Sequence, residues 1–189
     1  NGVSITTARG TEHFDHVIVA SHPDQTLAML ADATPAETRT LRAIRYQPNV
    51  AVLHTDPSVL PSARQAWSAW NYERAPALAQ EDARVCLHYL INQLQPLPFT
   101  QPVVVSLNPV SAIAPESVLG TYHYDHPIFD LAAIDAQRQI AGLQGTQHTY
   151  FCGAWTGYGF HEDGLQSGLR AANALRAHLD MAATQRTSA

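Results

Sequence analysis

Thr149-Tyr150-Phe151-Cys152-Gly153-Ala154-Trp155-Thr156-Gly157-Tyr158-Gly159-Phe160-His161-Glu162-Asp163-Gly164-Leu165-Gln166-Ser167-Gly168-Leu169-Arg170-Ala171-Ala172 is the stretch on which the fold turns. Its pattern predicts a buried strand over 149–152, a glycine-rich turn, and a helix from Glu162 to about Leu179. Leu165, Leu169, Ala172 and Leu175 would form the apolar stripe of that helix. Gly153, just past the strand, lets a ligand come close to bare backbone. The first N–H groups of the helix, at the positive end of its dipole, favour an electron-rich ligand atom. Gly164, Ser167, Gly168, Ala171 and Ala172 are small enough for close packing against a flat partner. A plain strand–turn–helix in a core has the same spacing, so residues alone leave both readings open.

Working outward, Val3–Thr7 and His13–Ala20 predict a hairpin turning at Arg9-Gly10, its second strand buried on both faces. A short helix is expected over 24–30. Thr34-Pro35-Ala36-Glu37 is a capping box with proline at the first helical position, so a helix should run from Pro35 to about Ile44. Strands are predicted over 50–55, 66–72, 85–91, 103–107 and 118–124. Leu131, Ile134, Ile140 and Leu143 mark a helix closed by Gly142 and Gly145. The fold class expected is α+β. A twisted, mostly antiparallel or mixed sheet is flanked by helices, and terminal strand and helix elements belong to something else. The expected division is 1–23, 24–145 and 146–189.

Composition narrows the partners. The chain has 189 residues, 46% hydrophobic and 14% charged, with a net charge of −5. Every fixed positive charge is Arg, and no basic run exists, which argues against nucleic acid and anionic membrane surfaces. No stretch is long and apolar enough to cross a bilayer as a helix. Cys86 and Cys152 form no C-x-x-C pair, so zinc-ribbon and thioredoxin chemistry are not expected, and a reduced, cytoplasmic setting is the default. The chain opens on Asn1-Gly2 with strands already under way, as expected of a piece of a longer protein.

Phe151-Cys152-Gly153, followed by Glu162-Asp163-Gly164-Leu165-Gln166-Ser167-Gly168-Leu169-Arg170-Ala171-Ala172, resembles the C-terminal FAD motif of the amine oxidase, phytoene desaturase and protoporphyrinogen oxidase superfamily. There an aromatic-small-Gly strand end leads through a loop into Glu-Gly-Ala-x-x-Ser-Gly-x-x-Ala-Ala. Asp163 stands where that family has Gly, and Gly164 where it has Ala. Phe14-Asp15-His16-Val17-Ile18-Val19-Ala20-Ser21-His22-Pro23 is similar to the family's strand leading from the FAD domain toward the substrate domain. The whole chain resembles a bacterial subgroup of predicted NAD/FAD-binding proteins, whose genes often accompany cyclopropane fatty-acid synthase-like methyltransferases. Asn49–Asp56, Trp67–Asn71 and Tyr124–Asp130 look like that subgroup's signatures.

The resemblance implies an FAD-dependent oxidoreductase in which a substrate carbon gives a hydride to the flavin. It implies a Rossmann-like FAD domain to which the terminal elements belong, and noncovalent FAD, since no Cys lies in Tyr122–Phe129. Gly153, Ala154, Trp155, Phe160, His161, Gly164 and Leu165 are the implied flavin contacts. Trp67, His88, Tyr122 and Tyr124 are candidates for lining a substrate pocket. No G-x-G-x-x-G opens a βαβ unit, so the dinucleotide fingerprint is expected upstream, in an N-terminal FAD domain of the same chain. The chain alone is expected to hold FAD poorly and to be inactive. A small molecule, lipid or amine, is the expected substrate. A lipid or polyene desaturase or isomerase, and a non-catalytic binding module, are the alternatives.

Two constellations point elsewhere and are not adopted. His123, Asp125 and His126 include ligand types for a metal, but His126 turns away from the other two on a strand. Cys152 with His148 or His161 could form a thiol or copper site, yet a thiol ending an apolar strand is expected to be inert. No metal is expected.

Overall fold

A computed structural model describes residues 2–74 and 86–187. The chain divides into two compact units, one comprising 1–46 with 127–189, the other 47–126.

The first unit opens with a hairpin, β1 (Val3–Thr7) and β2 (Gly10–Phe14), antiparallel with Ile5 opposite Glu12. β2 is exposed along its length. The sequence reading merged β2 with the apolar run after it. The chain instead breaks at Asp15-His16 and starts β3 (Val17–Val19), which is only partly buried. β3 pairs in parallel with β9 (Thr149–Phe151), Ile18 opposite Tyr150. The hairpin forms as expected around Arg9-Gly10, but its second strand does not extend through 17–19, because a parallel pairing across such a sequence distance leaves no local turn signal.

α1 (Pro23–Met29) and α2 (Pro35–Ala43) follow β3. α2 begins as its capping box predicts. Thr34 Oγ1 accepts from the Glu37 N–H at 3.2 Å, and Glu37 Oε2 takes the Thr34 N–H at 2.7 Å. α4 (Leu131–Leu143) matches its expected span, with Asp130 Oδ1 capping the Ala133 N–H at 2.8 Å. Its buried face is Ala133, Ala136, Ile140 and Leu143; Leu131 is 85% exposed and Gly142 lies inside the helix. Gly145 ends the turn after the helix, at φ 84°.

β9 is buried on both faces. Phe151 joins Leu41, Ile44, Ala133, Ala136, Ile140, Leu143 and Trp155 in one core. Tyr150 and Cys152 point the other way, onto Ala171, Ala174 and Leu175 of α5 (His161–Thr187). A parallel strand covered by helices on both sides is the layering of doubly wound sheets. The face of α5 that packs is not the expected leucine stripe. Ser167 and Ala171 are buried, while Leu165 and Leu169 are about half exposed. Small residues let α5 lie close to β9, and Leu165 and Leu169 are left on its outer side while Leu175 joins the packed face.

The second unit is a five-stranded sheet in the order β5 (Trp70–Glu73), β6 (Cys86–Leu90), β7 (Val104–Leu107), β4 (Tyr46–His54), β8 (Val118–Pro127). The registered pairs β5–β6, β6–β7 and β7–β4 are antiparallel. α3 (Ile91–Leu94) continues directly from β6, so the strand stops before Ile91. The expected start of that strand, Val85, lies outside the described residues. The strand expected over 66–72 is shorter: Arg64–Ala66 is a 3₁₀ turn and pairing starts at Trp70. The α+β class with a mostly antiparallel sheet stands. The division falls at Tyr46/Gln47 and His126/Pro127 rather than at 23/24 and 145/146, because α1, α2 and α4 share one core with β9.

Candidate functional site

In the first unit, the strand–turn–helix is built around Gly153. Its φ is 151°, and a Cβ there would sit 2.3 Å from Trp155 Nε1. Only glycine fits. Its N–H donates to Ser167 Oγ of α5 at 2.9 Å, and its carbonyl accepts from Thr156 Oγ1 at 2.9 Å. A single 3₁₀ turn, Ala154–Thr156, follows. The Trp155 side chain is core, with Nε1 donating to the Ser21 carbonyl at 3.1 Å, so only its backbone remains for a ligand. Gln137 of α4 clamps the same turn, Nε2 donating to the carbonyls of Trp155 (2.9 Å) and Gly157 (2.7 Å).

Asp163, the departure from the resembling motif, closes the turn. Its Oδ2 takes the N–H groups of Tyr158 and Phe160, both at 3.0 Å. A Cβ on Gly157 would collide with this carboxylate. With Glu162 and Asp163 in its first turn, the start of α5 is already supplied with negative charge. It suits a neutral or weakly anionic ring edge better than a pyrophosphate. Gly164 lies against Ala154, its built Cβ position 3.7 Å from the Ala154 side chain. Tyr158, Phe160, His161 and Leu165 are exposed beside this turn. The seven residues singled out for the flavin therefore share one turn and helix start.

The outer edge of β9 is filled by the chain itself. The Gln144 side-chain amide donates to the Phe151 carbonyl at 2.8 Å and accepts the Phe151 N–H at 2.9 Å. The Gly145 N–H donates to the Thr149 carbonyl at 2.9 Å. Alongside, a cleft of about 460 Å³ opens between α4 and α5, lined by Gln137, Gln144, Thr156, Ser167 and Arg170 among others.

Around the same unit, His16, His148 and His178 cluster with ring centroids 5.0, 5.1 and 6.4 Å apart. Burial first, and then the fields of His148 and His178, push the His16 imidazole below its ordinary value. Cys152 is buried and burial raises its thiol, as expected of an inert cysteine.

The four proposed substrate residues are not brought together. Trp67 precedes β5 and lines a cleft of about 200 Å³ with Arg64, Leu90 and Pro102, its Nε1 donating to the Pro61 carbonyl at 2.7 Å. Tyr122 and Tyr124 lie on β8, at the opposite edge of the sheet, exposed and stacked on each other. His88 does not line an open pocket: it is 1% exposed and both ring nitrogens are taken. His126 Nδ1 pairs with the Asn49 side chain at 3.0 Å. Among the described residues, His123, Asp125 and His126 do not converge as a metal cluster.

Sequence reasoning missed a polar ladder on one face of the sheet. His54 Nε2 lies 2.7 Å from Ser106 Oγ, which lies 2.6 Å from His88 Nδ1; His88 Nε2 lies 2.9 Å from Glu73 Oε2. The Asp56 N–H donates to His54 Nδ1 at 3.2 Å. That bond makes Nδ1 an acceptor, so neutral His54 donates from Nε2 to Ser106. Ser106 then donates to His88 Nδ1, and His88 donates from Nε2 to the carboxylate. Burial alone would raise the Glu73 carboxyl, but hydrogen bonds from Ser111 and His88, with the His88 field, hold it below its usual range. The available signal was polar residues at inward positions of apolar strands: His54, His88 and Ser106.

No family model and no curated protein sequence matches the chain. Solved structures do. The chain is similar to a CLA-producing fatty acid isomerase from P. acnes, with a TM-score of 0.57 and 14% identity, covering 93% of this chain and 44% of that one. It is also similar to a protein described as a protoporphyrinogen oxidase from Exiguobacterium sp. 255-15, with a TM-score of 0.51 and 14% identity, covering 94% and 44%. At such identity the likeness is one of fold. The chain spans less than half the length of either structure.

Proposed function

We propose that this chain supplies the substrate domain and the C-terminal flavin-contacting segment of an FAD-dependent oxidoreductase or isomerase. The observation that carries it is the junction of β9, Gly153 and α5. There a backbone with no possible Cβ ends a doubly covered parallel strand and leads into a helix start. The residues are compatible with the flavin end of FAD. Gly153, which carries no Cβ, and Ala154 would lie along a bound flavin, and the start of α5 would supply N–H groups to its ring. Phe160 stands beside it as an exposed aromatic. A bound flavin would supply the acceptor for a hydride equivalent from a substrate carbon. The α5 dipole would favour the negative charge that accumulates on that ring when it is reduced. Asp163 holds the turn shut by accepting the Tyr158 and Phe160 N–H groups itself.

Two strands make a poor sheet on their own. The edge of β9, filled by the Gln144 side chain, is therefore assigned to a further strand of a completed FAD domain. On this reading the isolated chain lacks most of the cofactor's walls.

A lipid or fatty acyl substrate is preferred over an amine. It is supported by the fatty acid isomerase among the structural neighbours and by the exposed Tyr122–Tyr124 pair. The test is to purify the longer protein and the 189-residue chain in parallel and record flavin absorbance. Stoichiometric FAD in the longer protein and none in the chain is expected. A longer protein without flavin overturns the assignment, and a yellow isolated chain overturns the incomplete-site reading. Turnover of unsaturated fatty acids against amines then decides the substrate class.

A further inference from the structure

The β5–β6 hairpin brings together three side chains that the flavin reading does not use. Glu73 lies opposite Cys86 in the register, and His88 follows Cys86 by two positions, so all three stand on one face. Cys86 Sγ is 3.6 Å from His88 Nε2 and 3.6 Å from Glu73 Oε2, and Nε2 is 2.9 Å from Oε2. Zinc bonds of ~2.3 Å to sulfur and ~2.0 Å to nitrogen or oxygen, at tetrahedral angles, place sulfur about 3.5 Å from its neighbours and nitrogen about 3.3 Å from oxygen. The three atoms thus lie close to the corners of one face of such a tetrahedron, with the Glu73–His88 edge slightly short.

We propose that Glu73, Cys86 and His88 bind a zinc-type divalent cation, with the fourth position left to water. Two of the ligands are also held from behind. The Ser111 hydroxyl donates to Glu73 Oε1, and Ser106 Oγ holds His88 Nδ1 at 2.6 Å. Ser111 comes from the loop after β7. Support of a ligand by an outer donor or acceptor is the habit of metal sites.

The charges and protons close. Cys86 and Glu73 supply two negative charges to a dication, leaving a neutral buried group. The thiol proton goes to solvent. His88 keeps its one ring proton but moves it from Nε2 to Nδ1, where it donates to Ser106. Ser106 then accepts from both His54 and His88. Glu73 is the one ligand with appreciable exposure, its side chain at 27%, so the open position lies on its side.

The experiment is a cobalt(II) titration of the full chain after dialysis against a chelator, with circular dichroism to establish that it is folded. About one equivalent should bind, with thiolate-to-cobalt charge transfer and the visible bands of a tetrahedral ion, and zinc should displace it. Ser106→Ala should weaken binding ~10–100-fold by freeing His88. Glu73→Gln, at the half-open corner, should keep the fold and lose affinity by at least as much, which preserves the test if Cys86→Ser does not fold. A folded chain without charge transfer, or one whose affinity is unchanged in Glu73→Gln, shows a hydrogen-bonded network only and overturns the site. Neither result bears on flavin content.

Discussion

The two units solve the same problem, a buried β-strand, by different means. In the five-stranded sheet, β6 and β7 have strand neighbours on both sides, and the inward polar groups satisfy one another in a chain from His54 to Glu73. In the other unit, among the described residues, β9 has one strand neighbour, and the Gln144 side chain with the Gly145 N–H stands in for the second. The inner strands of the sheet find their hydrogen bonds within it. The parallel pair is sealed provisionally, and it is the pair that carries the Gly153 turn.

The comparison breaks hardest at Gly153. Gly153→Ala forces a side chain into Trp155 at a φ that L-residues avoid, and should cost the first unit about 3 kcal/mol. Denaturant unfolding followed by tryptophan emission and by far-ultraviolet dichroism would resolve whether that unit falls first. Ser106→Ala in the sheet leaves two buried imidazoles short of a partner and should cost about 2 kcal/mol, read as a shift of the other transition. Gln144→Ala should cost the isolated chain about 1–2 kcal/mol by orphaning the Phe151 N–H and carbonyl. In a longer protein whose own strand lies along β9 the same change should cost nothing, so equal losses in both would remove the provisional-seal interpretation.

Acidification should separate the units more gently. The neutral form of His16 is favoured in the fold, and the unfolded chain takes up a proton first, near 6.5, the ordinary value of an imidazole. Stability of the first unit is therefore intact above that value and falls as pH drops below it. His148, His178, Asp15 and Tyr150 are the groups facing His16. The melting temperature should decline between about pH 7.5 and 5.5, and His16→Gln should flatten the decline. A profile unchanged by that substitution would discard His16 as the cause. The smallest effect belongs to Leu131→Ser, within about 0.5 kcal/mol, since this residue is almost fully exposed despite its helical spacing.

These cases also show what the sequence made legible. The capping box at Thr34–Glu37 and the span of α4 are local, set by a few neighbouring residues, and both were readable. The Gly153 turn was readable because glycine there answers a steric demand. The β3–β9 pairing was not, because its hydrogen bonds join residues far apart with no turn to announce them. Nor was the packing face of α5: leucines advertise burial, but the close approach to β9 selected Ser167 and Ala171. The ladder from His54 to Glu73 draws on four strands, so its members look isolated until the sheet aligns them. Trp67 and the Tyr122–Tyr124 pair were grouped by chemistry alone, and the strand order puts them at opposite edges.

Gln144 has one more consequence. An open strand edge invites other chains to add to it, and many proteins defend such edges with charge or with bulges. Here the defence is a carboxamide, which copies the donor and acceptor of a peptide group and so occupies both bonding positions of Phe151 at once. It is removable: a rotation about the Gln144 side-chain bonds uncovers the two Phe151 positions, while the Gly145 N–H still holds the Thr149 carbonyl. The chain can therefore stay guarded against self-association while alone and still yield the position to an incoming strand.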